Sequence, residues 1–337
     1  MIKFTFSGTS HGEGYRGTVT GLPNGFVIDQ DAVNQQLQLR KCGSGRSARQ
    51  QGEKDTVQFY GLVDGKVNGE LSFFVANRLH SQKPPITALR SGHVDVVAMV
   101  KLGKDQIRFA NETASARNSV CYVVLGAICR QLLQQKGVSI FSYTKQIGTV
   151  SCNDIATCRV DDDLNCPNLD VSKQMLQQIN TARQLGNSLG GKTVVVAKGV
   201  PCGWGEWFPY ESRLDGKLAG AFMSIPSVKA VEFGLGVGFA GLSGADASDT
   251  LEVTNGQIKY GTNNCGGIVG GVTNGGDVVC TLTVKPVPTV KGVKGVDCNT
   301  LQEVDAHYER ADTCVVPNVG VIAENVMAIV LANYLVK

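Results

Sequence analysis

Between residues 322 and 335 the chain is apolar nearly all the way round a helix, so a helix formed there has no side to turn to water and is buried. A second stretch, 119–136, repeats Val120, Val123, Val124, Ala127, Ile128, Leu132 and Leu133 at spacings of three and four, and Gly137 closes it. Two further helices are expected. Asp29 caps one that carries Val33 and Leu37 and ends near Arg40. Ser172 caps another over 173–185, with Met175, Leu176, Ile179 and Ala182 on one face and Gly186 as its stop. Strand-like pieces fall at 16–20, 56–62, 70–76, 193–197 and 278–284, each bounded by Gly, Asn or Pro. Strands and helices come in pairs rather than in strict alternation, which favours an α+β fold over a doubly wound sheet.

The 337 residues suffice for one large or two ordinary domains. Glycine, at 41 residues, is scattered as GG, GxG and NG pieces, which points to many tight turns and close backbone approaches. The stretch 19–25 (VTGLPNG) is echoed by 197–203 (AKGVPCG), each a strand running into a G-x-P-x-G turn before a helix. An internal duplication and a coincidence both account for that echo. A formal net charge of +3 is too small to argue for nucleic acid. No apolar run is long enough to span a membrane and no basic-then-apolar leader opens the chain, so a cytoplasmic protein is expected. The 11 cysteines include no CxxC pair and are expected as free thiols packed like small apolar groups, with no metal site.

Four groups of residues carry chemistry. In Gly8-Thr9-Ser10-His11-Gly12 a histidine stands in a glycine-flanked turn after the apolar run 2–6. Exposed at a strand end, it can trade protons at neutral pH; a solvated loop histidine has the same surroundings. A second histidine follows a glycine in Arg90-Ser91-Gly92-His93. Arg40, Arg46 and Arg49 flank the glycine-rich loop 43–45. Guanidinium forks suit phosphate and carboxylate, so this loop is either a clamp for a small anion or a solvated basic loop. Lastly, 263–271 (NNCGGIVGG) precedes a strand that ends at Lys285-Pro286-Val287-Pro288-Thr289. A flat cofactor or its phosphate can lie against such paired glycines. Neither GxGxxG nor GxxxxGK[ST] is present there, which counts against Rossmann and P-loop sites. Residues 186–190 fit G-x-S-x-G, but a helix precedes them and a strand follows, the reverse of a nucleophile elbow, so that reading is rejected.

In order and spacing these groups resemble the chorismate synthase family along nearly the whole chain. Its Gly-Glu-Ser-His-Gly signature is similar to residues 8–12, its arginine-rich loop to 40–55, and its Arg-Pro-Gly-His-Ala-Asp segment to 90–95. Its Ser-Ala-Arg-Glu-Thr helix start resembles 115–119, and its Arg-His-Asp-Pro-Cys resembles 310–314. Residues 185–200, 224–229, 262–271 and 285–286 match as well. Among the departures from the pattern, Thr9 stands for glutamate, Ser91 for proline, Thr113 for arginine and Ala311 for histidine.

The resemblance implies one domain over 1–337, with helices sandwiched between antiparallel β-sheets, in a homotetramer. It implies reduced FMN and 5-enolpyruvylshikimate 3-phosphate, which loses phosphate and a ring proton in a 1,4-anti elimination to chorismate. NADPH would serve as reductant, in the flavin pocket or through a separate flavin reductase. His11 would then be the acid that protonates the departing phosphate. His93 would steady the reduced flavin, Asp312 would assist proton movement at flavin N5, and Ser10 would help position it. Arg40, Arg46, Arg49 and Arg117 would hold the substrate anions. Thr113, Ala114, Ser115, Pro226, Ser227, Gly270, Lys285, Pro286, Val287, Pro288, Thr289 and Arg310 would line the FMN site. A different class stays open beside this enzyme: a non-catalytic or altered-specificity paralogue that binds flavin or an anionic ligand.

Overall fold

In the computed structural model, described over residues 1–41, 43–46, 55–78, 83–306, 308 and 311–336, two antiparallel sheets enclose a layer of helices. The first sheet contains β1 (Lys3–Gly8), β2 (Gly14–Thr20), β3 (Val57–Val63) and β4 (Lys66–Ala76), in the order β1-β2-β4-β3. Its tight centre depends on Gly17, where a Cβ would lie 2.2 Å from the Phe73 ring. The second sheet contains β5 (Ser139–Ile147), the short β6 (Val150–Ser151), β7 (Gly191–Lys198), β8 (Val228–Phe233) and β9 (Val278–Val284), in the order β6-β5-β7-β9-β8. Without the edge strand β6, the second sheet repeats the order of the first.

The echoed turns occupy equivalent places. Gly21 follows β2 at φ +83° and Gly199 follows β7 at φ +74°. A Cβ on either would meet a carbonyl oxygen at the entrance to the partner strand, Met1 O before β1 at 2.3 Å and Gly137 O before β5 at 2.5 Å. Only glycine permits both that approach and that φ. The first turn leads to helix α1 (Gln30–Leu39); the second reaches its helix only after the longer connection 204–213.

Local signals account for the helices. Asp29 accepts from the Ala32 N–H at 3.0 Å and caps α1, whose Val33 and Leu37 are buried. Two short helices, α2 (Asp95–Leu102) and α3 (Ile107–Thr113), lead into α4 (Ser119–Gln134), and Gly137 at φ +77° ends the turn that follows it. Helix α5 (Leu169–Gln184) corrects the expected cap: Asn168 accepts from the Asp170 and Val171 N–H groups, and the helix starts earlier. Ser172 lies inside it, its hydroxyl donating to Asp162 Oδ2 at 2.8 Å. Helix α6 (Leu214–Met223) packs on α7 (Val316–Ala332).

The apolar C-terminal stretch is buried as expected, but α7 begins six residues before 322 and ends before 335. It crosses α4 at Gly126, where a Cβ would lie 2.3 Å from the Cβ of Asn325. One face of α7 meets β5 and β7, while α4 reaches β2, so the helix pair fills the space between the sheets. Its one buried acid, Glu324, takes hydrogen bonds from Arg130 (2.6 Å), Ser142 (2.6 Å) and Arg159 (3.3 Å). The described cysteines are all free thiols, and burial pushes that of Cys121 up to about 12, as for an inert core group. Among the described residues no cluster of three metal-ligating side chains occurs, and no helix is long and apolar enough to cross a membrane.

Candidate active site

One cavity of about 450 Å³ opens where the first sheet, the helix layer and the end of β9 meet. The β1–β2 turn supplies Ser10 and His11, and the 90–94 loop supplies Arg90 and His93. Helix α3 and the turn after it supply Arg108, Asn111, Glu112, Ala114, Ser115 and Arg117. Pro226, Ser227, Lys285, Val287, Pro288 and Thr289 form the opposite wall, and Arg40, Arg46 and Asp312 lie between. Thus groups separated by as many as three hundred residues of chain converge on one space.

The His11 turn is held from outside. Thr9 accepts the Gly12 N–H through its hydroxyl at 3.1 Å, and Asn77 donates to the carbonyls of Ser10 (3.0 Å) and Gly12 (2.9 Å). His11 Nδ1 stands 3.1 Å from Ser10 Oγ and 3.6 Å from Glu112 Oε1. Its side chain is 15% exposed, so the expected exposed histidine is a half-buried one, covered by α3. The carboxylate that Thr9 lacks is supplied by Glu112, a residue that motif reading passed over. The Ser10 N–H also bonds the Glu112 carbonyl at 3.2 Å, so the two segments are tied at the backbone as well.

His93 belongs to a tighter network. Asp95, with no solvent exposure, accepts from Arg90 Nε (2.8 Å), the Arg90 N–H (2.9 Å) and Asn111 Nδ2 (2.6 Å). His93 Nδ1 is 2.8 Å from Asp95 Oδ1. Burial raises the Asp95 pKa, yet the hydrogen bonds from His93, Arg90 and Asn111 outweigh it and hold the carboxyl well below the usual carboxylate range. Lys285 Nζ donates to the Gly92 carbonyl at 2.9 Å, joining the end of β9 to this loop.

The arginines are positioned by acids rather than waving in a loop. Arg40, at the C-cap of α1, is buried; its guanidinium donates to Asp55 Oδ2 at 2.9 Å and to Ser119 Oγ at 3.3 Å. Asp55 also receives Arg117 at 3.2 Å and lies 3.8 Å from Lys41 Nζ. Arg46 donates to Asp312 Oδ2 at 2.7 Å. Gly45 makes that pairing possible: a Cβ there would sit 2.2 Å from the Cys314 carbonyl, and Thr313 and Cys314 both donate N–H to the Gly45 carbonyl. Arg49 and Arg310 lie outside the described residues.

Three other expected positions fall outside the cavity of a single chain. Thr113 turns its hydroxyl back to the Phe109 carbonyl at 2.9 Å and is exposed. Gly270 sits in the short hairpin 268–273 beside Trp207, and Pro286 packs toward Gly190. Ser115 lines the wall and caps the following turn, accepting the Arg117 N–H at 3.3 Å. Ser227 holds φ +75°, the left-handed region that favours glycine, while its carbonyl accepts from the Lys285 N–H at 2.8 Å. A strained backbone on a cavity wall is where ligand contacts concentrate. In the rejected 186–190 motif, Ser188 Oγ donates to the Val287 carbonyl at 2.6 Å, the bond of a structural serine.

The family profile described as chorismate synthase matches residues 2–336. A chorismate synthase of Endomicrobium trichonymphae is 36% identical, over 99% of this chain and 93% of its own. One from Thermotoga maritima is 33% identical, over 100% of this chain and 92% of its own. A solved crystal structure of chorismate synthase superposes with a TM-score of 0.79 at 26% identity, covering 98% of this chain and 90% of that one.

Proposed function

The chain belongs to the chorismate synthase family, and from that premise we propose that its cavity eliminates phosphate from 5-enolpyruvylshikimate 3-phosphate to give chorismate. The observation that carries this reading is the convergence of His11, His93 and acid-positioned arginines on one cavity. The substrate bears two carboxylates and a phosphate; Arg40, Arg46, Arg90, Arg108, Arg117 and Lys285 outnumber the acids on the wall, Glu112 and Asp312. The same donor chemistry suits a flavin phosphate and an anionic reduced ring, so the residues fit FMN, with His93, Lys285, Ser227 and Thr289 as those that would hold it. When bound and reduced, FMN supplies an electron-rich ring beside the substrate.

The chain's own groups then divide the work. The arginines bind and orient the substrate anions. His11 gives its proton to the phosphate oxygen as the carbon–oxygen bond breaks and the phosphate leaves with the electron pair. Ser10 Oγ and Glu112 hold the imidazole in place for that transfer. Asp312, held by Arg46, would assist proton movement where the flavin binds, and the ring proton lost from the substrate would balance the one His11 gives up. No net oxidation occurs.

The reductant of FMN is external, NADPH acting through a separate flavin reductase, and the protein works in the cytoplasm as a homotetramer. Support for assembly comes from apolar side chains left in solvent, with Trp207 75%, Phe208 85% and Tyr210 81% exposed and Val253 and Ile258, paired across a second hairpin over 251–260, similarly bare. A mass of four chains by light scattering is expected; a monomer contradicts this part. Anaerobic turnover with chemically reduced FMN is the main test. NADPH with oxidised FMN and no added reductase is expected to give no product.

A further inference from the structure

We propose that Asp95 is the positioning residue that sets the tautomer of His93, keeping Nδ1 protonated and turned into the protein, so that Nε2 is the ring nitrogen offered to the cavity. The donor hydrogens around Asp95 fix this direction. Asn111 Nδ2 donates to Asp95 Oδ1 at 2.6 Å and to the Ile107 carbonyl at 3.1 Å, which uses both its protons and turns Asn111 Oδ1 toward Arg90. Arg90 Nη2 has two protons and three neighbours: Asn111 Oδ1, Asp95 Oδ1 at 3.0 Å and His93 Nδ1 at 3.1 Å. The two oxygens, one of them a carboxylate, take those protons. His93 Nδ1, 2.8 Å from Asp95 Oδ1, therefore cannot be an acceptor there without setting two lone pairs against each other; it must donate.

The rest of the network supports that direction. Asp95 is completely buried, its other oxygen is occupied by the Arg90 N–H and Nε, and its carboxyl stays ionised. His93 lines the cavity and is 26% exposed, while no described residue bonds its Nε2. A buried carboxylate on Nδ1 with Nε2 facing the ligand is the arrangement by which an acid orients a working imidazole without itself exchanging a proton. Neutral, Nε2 accepts a hydrogen bond from the ligand; protonated, it donates one. Arg90 has a second duty, since its Nη1 reaches Thr289 Oγ1 at 3.4 Å and so couples the network to the opposite wall.

This inference rests on the flavin-dependent reading of the cavity, but its first test does not require turnover. Side-chain 15N NMR of the wild-type protein bound to FMN, with His93 assigned by its loss in His93→Gln, is expected to show a proton on Nδ1 and a bare Nε2 in neutral His93. A proton on Nε2 with bare Nδ1 overturns the proposal, whether or not the protein makes chorismate. The second test is Asp95→Asn, whose amide can donate to Nδ1 and so reverse the tautomer. Provided the variant melts as a folded protein, kcat is expected to fall by about 10² or more, the order of a lost acid–base group, with FMN affinity within about threefold. In a His93→Gln background the same substitution is expected to add less than threefold. A full additional loss there indicates a structural role and overturns the proposal, as does a folded Asp95→Asn with wild-type kcat. Should Asp95→Asn not fold, the wild-type NMR measurement decides.

Discussion

At His11 the ring faces Ser10 Oγ at 3.1 Å and Glu112 Oε1 at 3.6 Å, so a carboxylate stands beside the proposed acid although Thr9 does not supply one. Thr9 instead secures the turn through the Gly12 N–H. His11→Ala is expected to slow turnover by about 10²–10⁴-fold while leaving FMN affinity nearly intact, as loss of a general acid does. Glu112→Gln removes one ionic contact worth on the order of 1 kcal/mol, so a decrease of about five- to tenfold in kcat is expected. Steady-state kinetics beside a flavin titration checks both, and an His11→Ala enzyme with wild-type kcat removes His11 from the mechanism. The histidines, Arg46 and Asp312 could be picked out in the sequence because they stand in short motifs. Asp55 and Glu112 could not. Asp55 meets Arg40 15 residues away and Arg117 62 away, and no local pattern specifies such pairings.

Secondary-structure elements were readable to the extent that their signals are local. The Asp29 cap and the stop at Gly137 need only neighbouring residues, and both stand where the pattern puts them. Asn168 and Ser172 are both capping types, and the choice between them is tertiary: Asp162 engages the Ser172 hydroxyl, leaving Asn168 to hold the first N–H groups of α5. The early start of α7 has Pro317 in its first turn, a signal the apolar run beyond it overshadows. The crossing of α4 and α7 is the contact on which the helix layer depends. Gly126→Ala places a methyl 2.3 Å from the Asn325 Cβ and 2.4 Å from its carbonyl oxygen, backbone that cannot step aside. Overpacking of this kind costs about 1–3 kcal/mol, so the variant is expected to unfold at lower urea concentration than wild type. An unchanged midpoint contradicts the close crossing.

Across the whole molecule the two sheets share one strand order, and Gly21 and Gly199 close equivalent turns against equivalent carbonyls. We propose an internal duplication as the source of this match, the seven-residue echo being its trace in sequence. The cavity itself breaks the symmetry: His11 comes from the first half, Lys285 and Asp312 from the second, and the 90–119 segment bridges them. That asymmetry suits the proposed elimination, in which His11 is the acid for the leaving phosphate, the arginines take the substrate anions and a separate face takes the flavin. The most direct measurement is product stoichiometry under anaerobic conditions. Purified protein with reduced FMN and 5-enolpyruvylshikimate 3-phosphate is predicted to release phosphate and chorismate in equal amounts over many turnovers. Flavin binding without either product would contradict the account and favour a protein that only binds flavin or an anionic ligand.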